Sequence, residues 1–150
     1  MKKHRVLGID PGVKCGIAIL NSDGTVDSVD TWNGLQPYEI LKNYNLAGVR
    51  LAVIENAFMG PNSKNALGLA RKIGRWQEAL ESRGIQCVTP YASEWQSALL
   101  PITNKTPGKD RKDLAISLCR NMFDLCLDEH SADALLLAHY GLTEVGRCGE

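Results

Sequence analysis

Two short apolar runs, residues 5–9 and 49–54, each stop at a carboxylate: Asp10, opening Asp10-Pro11-Gly12, and Glu55, opening Glu55-Asn56-Ala57. The first run holds β-branched residues and ends in turn chemistry, which makes it a strand. The second is continuous apart from Arg50, as a buried central strand requires. Between them, residues 16–20 and 25–32 flank the hairpin sequence Asn21-Ser22-Asp23-Gly24, so strands two and three pair antiparallel beside strand one. Asp27 and Asp30 belong on the solvated face or edge of strand three. A parallel pairing of strands one and four brings Asp10 and Glu55 to the same sheet edge. Carboxylates there cost solvation energy unless a cation compensates them, which points to a shared divalent metal site and to chemistry on phosphate.

The remaining elements follow from periodicity. Residues 37–44 suit a short helix. Ala66, Leu69, Ala70, Ile73, Trp76 and Leu80 keep helical spacing over residues 66–83, with Gly84 as the stop. Gly68 and Gly74 within that helix admit close approach of another backbone, such as a partner subunit. Residues 85–89 form a fifth strand, and Ser93 caps a short helix holding Trp95, Leu99 and Leu100. A helix over residues 109–123 turns Leu114, Leu118 and Met122 inward, and a last one over residues 131–145 packs Leu136, Leu137 and Tyr140. Trp76 and Trp95 belong to the core or an interface. This order of elements argues for one α/β domain across residues 1–150, a five-stranded mixed sheet flanked by helices on both faces.

Charge narrows the function classes. The 17 basic and 17 acidic residues cancel, so no bulk field draws the chain to a polyanion, and any such contact rests on local basic patches. Cys15, Cys87, Cys119, Cys126 and Cys148 are odd in number and lack a Cys-x-x-Cys spacing, so they read as reduced thiols rather than a zinc site. Cys119 and Cys126, seven apart, share a buried face if one helix carries both. Asp10 interrupts anything like a signal-peptide core, and no apolar stretch approaches the roughly 20 residues of a bilayer span. A soluble, cytoplasmic protein is the expectation.

Taken singly, the acidic positions are ordinary. Asp10-Pro11-Gly12 is a turn, Glu55 a strand-end carboxylate, and Asp133 a favourable charge near a helix N-terminus. His130 and Asp133 are three apart and share a helical face. Together they carry weight. Leu7-Gly8-Ile9-Asp10-Pro11-Gly12 with Gly16, then Val53-Ile54-Glu55-Asn56-Ala57-Phe58-Met59-Gly60-Pro61-Asn62, then Ser131-Ala132-Asp133-Ala134-Leu135 give the chain its likeness. It resembles the RuvC-type Holliday junction resolvases of the RNase H-like superfamily, in their motif order, from Arg5 to about Leu142.

The resemblance implies an RNase H-like fold and a metal-dependent endonuclease that resolves four-way DNA junctions as a homodimer. Paired symmetric nicks would leave 5′-phosphate and 3′-hydroxyl ends. It implies two Mg²⁺ or Mn²⁺ ions per site held by Asp10, Glu55, His130 and Asp133, with hard cations suiting carboxylate oxygen. His130 stands where many relatives carry Asp and is a competent ligand, more so for Mn²⁺. Asp128 is the rival for that place if the helix starts earlier.

Two basic groups offer a DNA surface: Lys64, Arg71, Lys72, Arg75 and Arg83 on or before the long helix, then Lys105, Lys109, Arg111 and Lys112 at the loop leading into the next. The second group lies where the resemblance puts catalytic-side lysines, with Lys109 and Lys112 the stronger candidates for phosphate contact. The resemblance also gives Phe58 a role stacking on bases near the crossover. Three other readings stand beside this one. They are a related nuclease acting on RNA or other branched DNA, an actin-like ATPase suggested by the opening Asp-x-Gly turn, and a nucleic-acid-binding module without activity. The second needs a larger two-lobed chain, and the third leaves four competent ligand residues without a purpose. A branch-migration motor partner is not legible in the sequence.

Overall fold

A computed structural model describes residues 4–57 and 63–145, with the side chains of Ser63, Lys64 and Val145 left undescribed. Phe58 therefore lies outside the described residues. Five strands, β1 (Arg5–Asp10), β2 (Lys14–Asn21), β3 (Val26–Asn33), β4 (Val49–Ile54) and β5 (Gln86–Val88), form one sheet in the order β3-β2-β1-β4-β5. β1 pairs antiparallel with β2 and parallel with β4, and β4 pairs parallel with β5. Among the described residues, no helix is long and apolar enough to cross a membrane.

Side-chain alternation along the strands divides the core in two. Leu7, Ile9, Ile17, Ile19, Ala52 and Ile54 point to one face, where α1 (Pro37–Leu41) and α2 (Ser63–Glu81) cover them with Ile40, Leu41, Ile73, Trp76 and Leu80. Val6, Ala18, Leu20 and Val53 point to the other face. There α3 (Ala92–Leu99), α4 (Gly108–Phe123) and α5 (Glu129–Tyr140) supply Trp95, Ala115, Cys119 and Leu135. Trp76 and Trp95 are fully buried, so Trp76 belongs to the core and is not part of an exposed interface.

Two glycines determine how α5 sits. A Cβ on Gly8 would fall 2.0 Å from the Ala134 carbonyl oxygen, and one on Gly16 would fall 2.0 Å from that of His130. Only bare backbone at these two strand positions lets the helix descend onto β1 and β2. Beyond Tyr140, residues Gly141–Val145 continue as one wider π-type turn, so the last helix starts and changes geometry earlier than its apolar period suggests.

Several local expectations are corrected. Tyr91, not Ser93, occupies the N-cap of α3 and gives no side-chain cap; Ser93 lies in the first turn and its carbonyl accepts from Ser97 Oγ. Met122 is 44% exposed rather than inward, because the end of α4 reaches the lip of a groove beside the edge strand β3. The same helix stops at Phe123, with Asp124 in the left-handed conformation (φ 55°). Cys119 is buried and Cys126 exposed, so they share no face. Gly68 and Gly74 meet open space within the described chain.

Candidate metal centre

Register places the first two carboxylates. Gly8 pairs with Val53 and Ile9 with Ile54, so Asp10 and Glu55 are the next residues along two parallel strands. The Glu55 amide donates to the Ile9 carbonyl at 3.1 Å, extending the ladder one step past the strand. Asp10 has the parity of Val6 and Gly8, and Glu55 that of Leu51 and Val53, so both side chains face α5. The second turn of α5 then brings Asp133 over them. One carboxylate oxygen from each of Asp10, Glu55 and Asp133 lies within 4.8 Å of the others.

The electrostatics of this cluster are those of a site built for a cation. Burial first, then the charges of Glu55, Asp133 and Glu129, push Asp10 up to about 9, against a downward pull from Lys112. Burial pushes Glu55 up to about 7. Burial, then Glu55 and Glu129, push Asp133 up to about 7. Like charges held this close in a low-dielectric setting each favour the protonated form unless positive charge enters. No lysine or arginine makes a described ion pair with any of the three, since the nearby Lys112 ammonium is bound to Glu129 at 3.1 Å. Three hard oxygen donors with uncompensated charge fit Mg²⁺ or Mn²⁺.

His130 adjoins the cluster at one side. Its Nδ1 is 3.4 Å from Asp10 Oδ2 and its Nε2 is 3.3 Å from Glu129 Oε1. Asp128, the rival fourth ligand, has another task as the N-cap of α5. Its Oδ1 accepts from the Ser131 amide at 2.8 Å, from Ser131 Oγ at 2.7 Å and from Thr31 Oγ1 at 2.9 Å. Partial burial works to raise its pKa, but these hydrogen bonds outweigh it and hold the carboxyl below its usual range. Asp128 thereby fixes the start of the helix that presents His130 and Asp133.

Compared with solved structures, the chain is similar to Thermus thermophilus RuvC in complex with a Holliday junction substrate, at a TM-score of 0.72 and 17% identity, covering 97% of this chain and 96% of that one. A second structure of T. thermophilus RuvC matches at 0.66 and 18% identity with the same coverage. The chain has the RuvC fold. No protein-family model and no curated protein sequence matches it. At this level of identity the likeness is one of fold, carried by the five-stranded mixed sheet and the helices packed on it.

The basic residues fall into distinct environments on this RuvC fold. Lys105 and Lys109 are exposed near the start of α4, and Lys112 is 58% exposed one turn further on. Arg111 turns inward, donating to the Thr106 and Thr103 carbonyls and to Gln96 Oε1, so its guanidinium ties the loop before α4 together. On α2, Arg71 is exposed, Arg75 donates to Gln36 Oε1 at 3.1 Å, and Lys72 reaches the Gly12 carbonyl. The side chain of Lys64 is not described.

Sequence reasoning missed Glu129, which bridges Lys112 and His130. It also missed Asp128 as a cap, although an Asp three residues before a Ser and just ahead of an apolar period is itself a helix-start signal.

Proposed function

We propose that this chain is a divalent-metal-dependent endonuclease that resolves four-way DNA junctions as a homodimer. The observation that supports it most is the buried Asp10, Glu55 and Asp133 cluster, with His130 against Asp10, at one sheet edge of a RuvC fold. These four residues would hold two Mg²⁺ or Mn²⁺ ions. When bound, the ions supply positive charge at the scissile phosphate and acidify the attacking water. In-line attack at phosphorus breaks the bond to the 3′ oxygen, giving 5′-phosphate and 3′-hydroxyl ends.

The chain's own groups position the substrate. Exposed Lys105, Lys109 and Lys112 make a basic rim around the start of α4 that fits the phosphates flanking the cut, and Lys112 is the one whose charge reaches Asp10 and Asp133. The exposed Arg71 on α2 would make a second contact, and the family resemblance gives Phe58 the stacking on a base at the crossover. A four-way junction has approximate two-fold symmetry, so a two-fold dimer offers one centre to each of two like strands. The outer face of α2, with Leu67, Gly68 and Gly74 exposed, suits a helix-to-helix contact with a second copy.

A panel of four-way junction, flap, RNA–DNA hybrid and linear duplex tests the substrate. Paired nicks at symmetric positions of the junction are expected. Preferential cutting of the hybrid or the flap would instead assign the centre to RNA or to branched DNA in general.

A further inference from the structure

We propose that Lys72 is a positioning residue, which clamps the turn carrying Asp10 to helix α2 and is not a phosphate contact. The inference rests on the metal-centre reading above and deepens it.

The turn between β1 and β2 spans residues 11–13, directly after the carboxylate with the greatest unfavourable burial in the cluster. Two hydrogen bonds from outside the hairpin hold it. The Gly34 amide donates to the Val13 carbonyl at 3.0 Å, tying the turn to the end of β3. On the other side, the Lys72 ammonium donates to the Gly12 carbonyl across 60 residues of sequence. The Lys72 side chain is half-buried along this path, whereas its neighbour Arg71 is exposed. Its charge also reaches the buried Cys15 thiol on β2, in the same hairpin.

A backbone carbonyl at a tight turn has no ladder partner, and a charged donor bound there is stronger than a neutral one. The consequence for the cluster is mechanical. Asp10, Glu55 and Asp133 repel one another when charged, and Asp10, at the end of its strand beside a turn, can yield to that repulsion unless the turn is held. Fixing Gly12 from α2 and Val13 from β3 removes that freedom and holds Asp10 where a cation can bridge it to the other two. Supporting groups of this kind generally carry a tenfold to hundredfold share of metal affinity.

The test compares Lys72→Met, which keeps the apolar stem, and Lys72→Arg with the wild-type chain by three measurements. These are calorimetric binding of Mn²⁺ without DNA, the salt dependence of junction binding in chelator, and amide hydrogen exchange of residues 11–14. The clamp predicts that Lys72→Met loses about tenfold in Mn²⁺ affinity, exchanges faster across residues 11–14, and keeps the wild-type salt slope; Lys72→Arg recovers part of the loss. A slope lowered by about one, the signature of a lost phosphate contact, overturns the proposal. Unchanged Mn²⁺ affinity and exchange overturn it too. Should the wild-type chain bind no Mn²⁺, the metal-centre reading fails by itself, and exchange of residues 11–14 still decides whether Lys72 holds the turn.

Discussion

The carbonyl of His130 rests directly on Gly16, in the space a side chain would need: a Cβ there would lie 2.0 Å from the oxygen. Gly16 pairs with Asp10 across β1 and β2, so the strand position that admits the helix is the neighbour of the carboxylate the helix must reach. Gly16→Ala therefore pushes the first turn of α5 off the sheet and carries His130 and Asp133 away from Asp10. The obstacle is backbone, so the expected loss is about 3 kcal/mol, the upper part of the overpacking range, seen as a melting temperature lower by about 10 °C. Mn²⁺ affinity should fall with it. A variant with wild-type melting and metal binding would show that this close approach is unimportant.

Asp10→Asn should abolish cleavage and leave junction binding nearly intact, because the carboxylates hold metal and the basic rim holds DNA. The metal-free protein should also respond to pH in a characteristic direction. Asp10 releases its proton near its ordinary 3.8 when unfolded and at about 9 when folded, so between these values the fold binds more protons than the unfolded chain. Its contribution to stability is complete below pH 4 and is lost as pH rises through 9; Glu55 and Asp133 add to the loss up to about 7. Melting in chelator from pH 5 to 9 should thus fall for wild type and fall less for Asp10→Asn, which at pH 8 should melt higher. Equal slopes would contradict the shifted carboxylates.

The strand pairing and the convergence of Asp10 with Glu55 were legible in the sequence because apolar runs and turn residues fix strand ends, and parity then fixes the face. The helix faces over the sheet were legible for the same reason in Ile73, Trp76, Leu80, Leu136 and Leu137. Met122 and Cys126 were not, since apolar period gives a helix's inner side but not where the sheet beneath it runs out. Destinations of long cationic side chains were also hidden. Lys72 and Arg111 look like Arg71 and Lys109 in sequence, and only the folded loops show that two of them are used on carbonyls.

His130 and Asp128 separate cleanly under substitution. His130→Ala should need more metal for the same rate, and His130→Asp should retain cleavage, since a carboxylate restores an oxygen ligand at the same helical position. Asp128→Asn keeps much of the cap and should cost less than about 1 kcal/mol, with metal requirement unchanged. A large metal effect at Asp128 with none at His130 would reverse the assignment.

Around Lys112 the account predicts opposite effects from the two partners. Lys109→Ala and Lys112→Ala should each slow cleavage and lower the salt slope of junction binding by about one. Glu129→Gln frees the Lys112 ammonium from its 3.1 Å ion pair and removes a negative charge, so it should tighten binding at low salt. Unchanged slopes in both lysine variants would mean that this rim is merely solvated.

The most direct measurement is cleavage of a synthetic four-way junction against Mn²⁺ and Mg²⁺ concentration, with binding followed on the same samples, for wild type, Asp10→Asn and Glu55→Gln. The account predicts metal-dependent, symmetric paired nicks with 5′-phosphate ends for wild type, and bound but uncut junction for both variants. Cleavage in chelator, or near-normal cleavage by either variant, would contradict it.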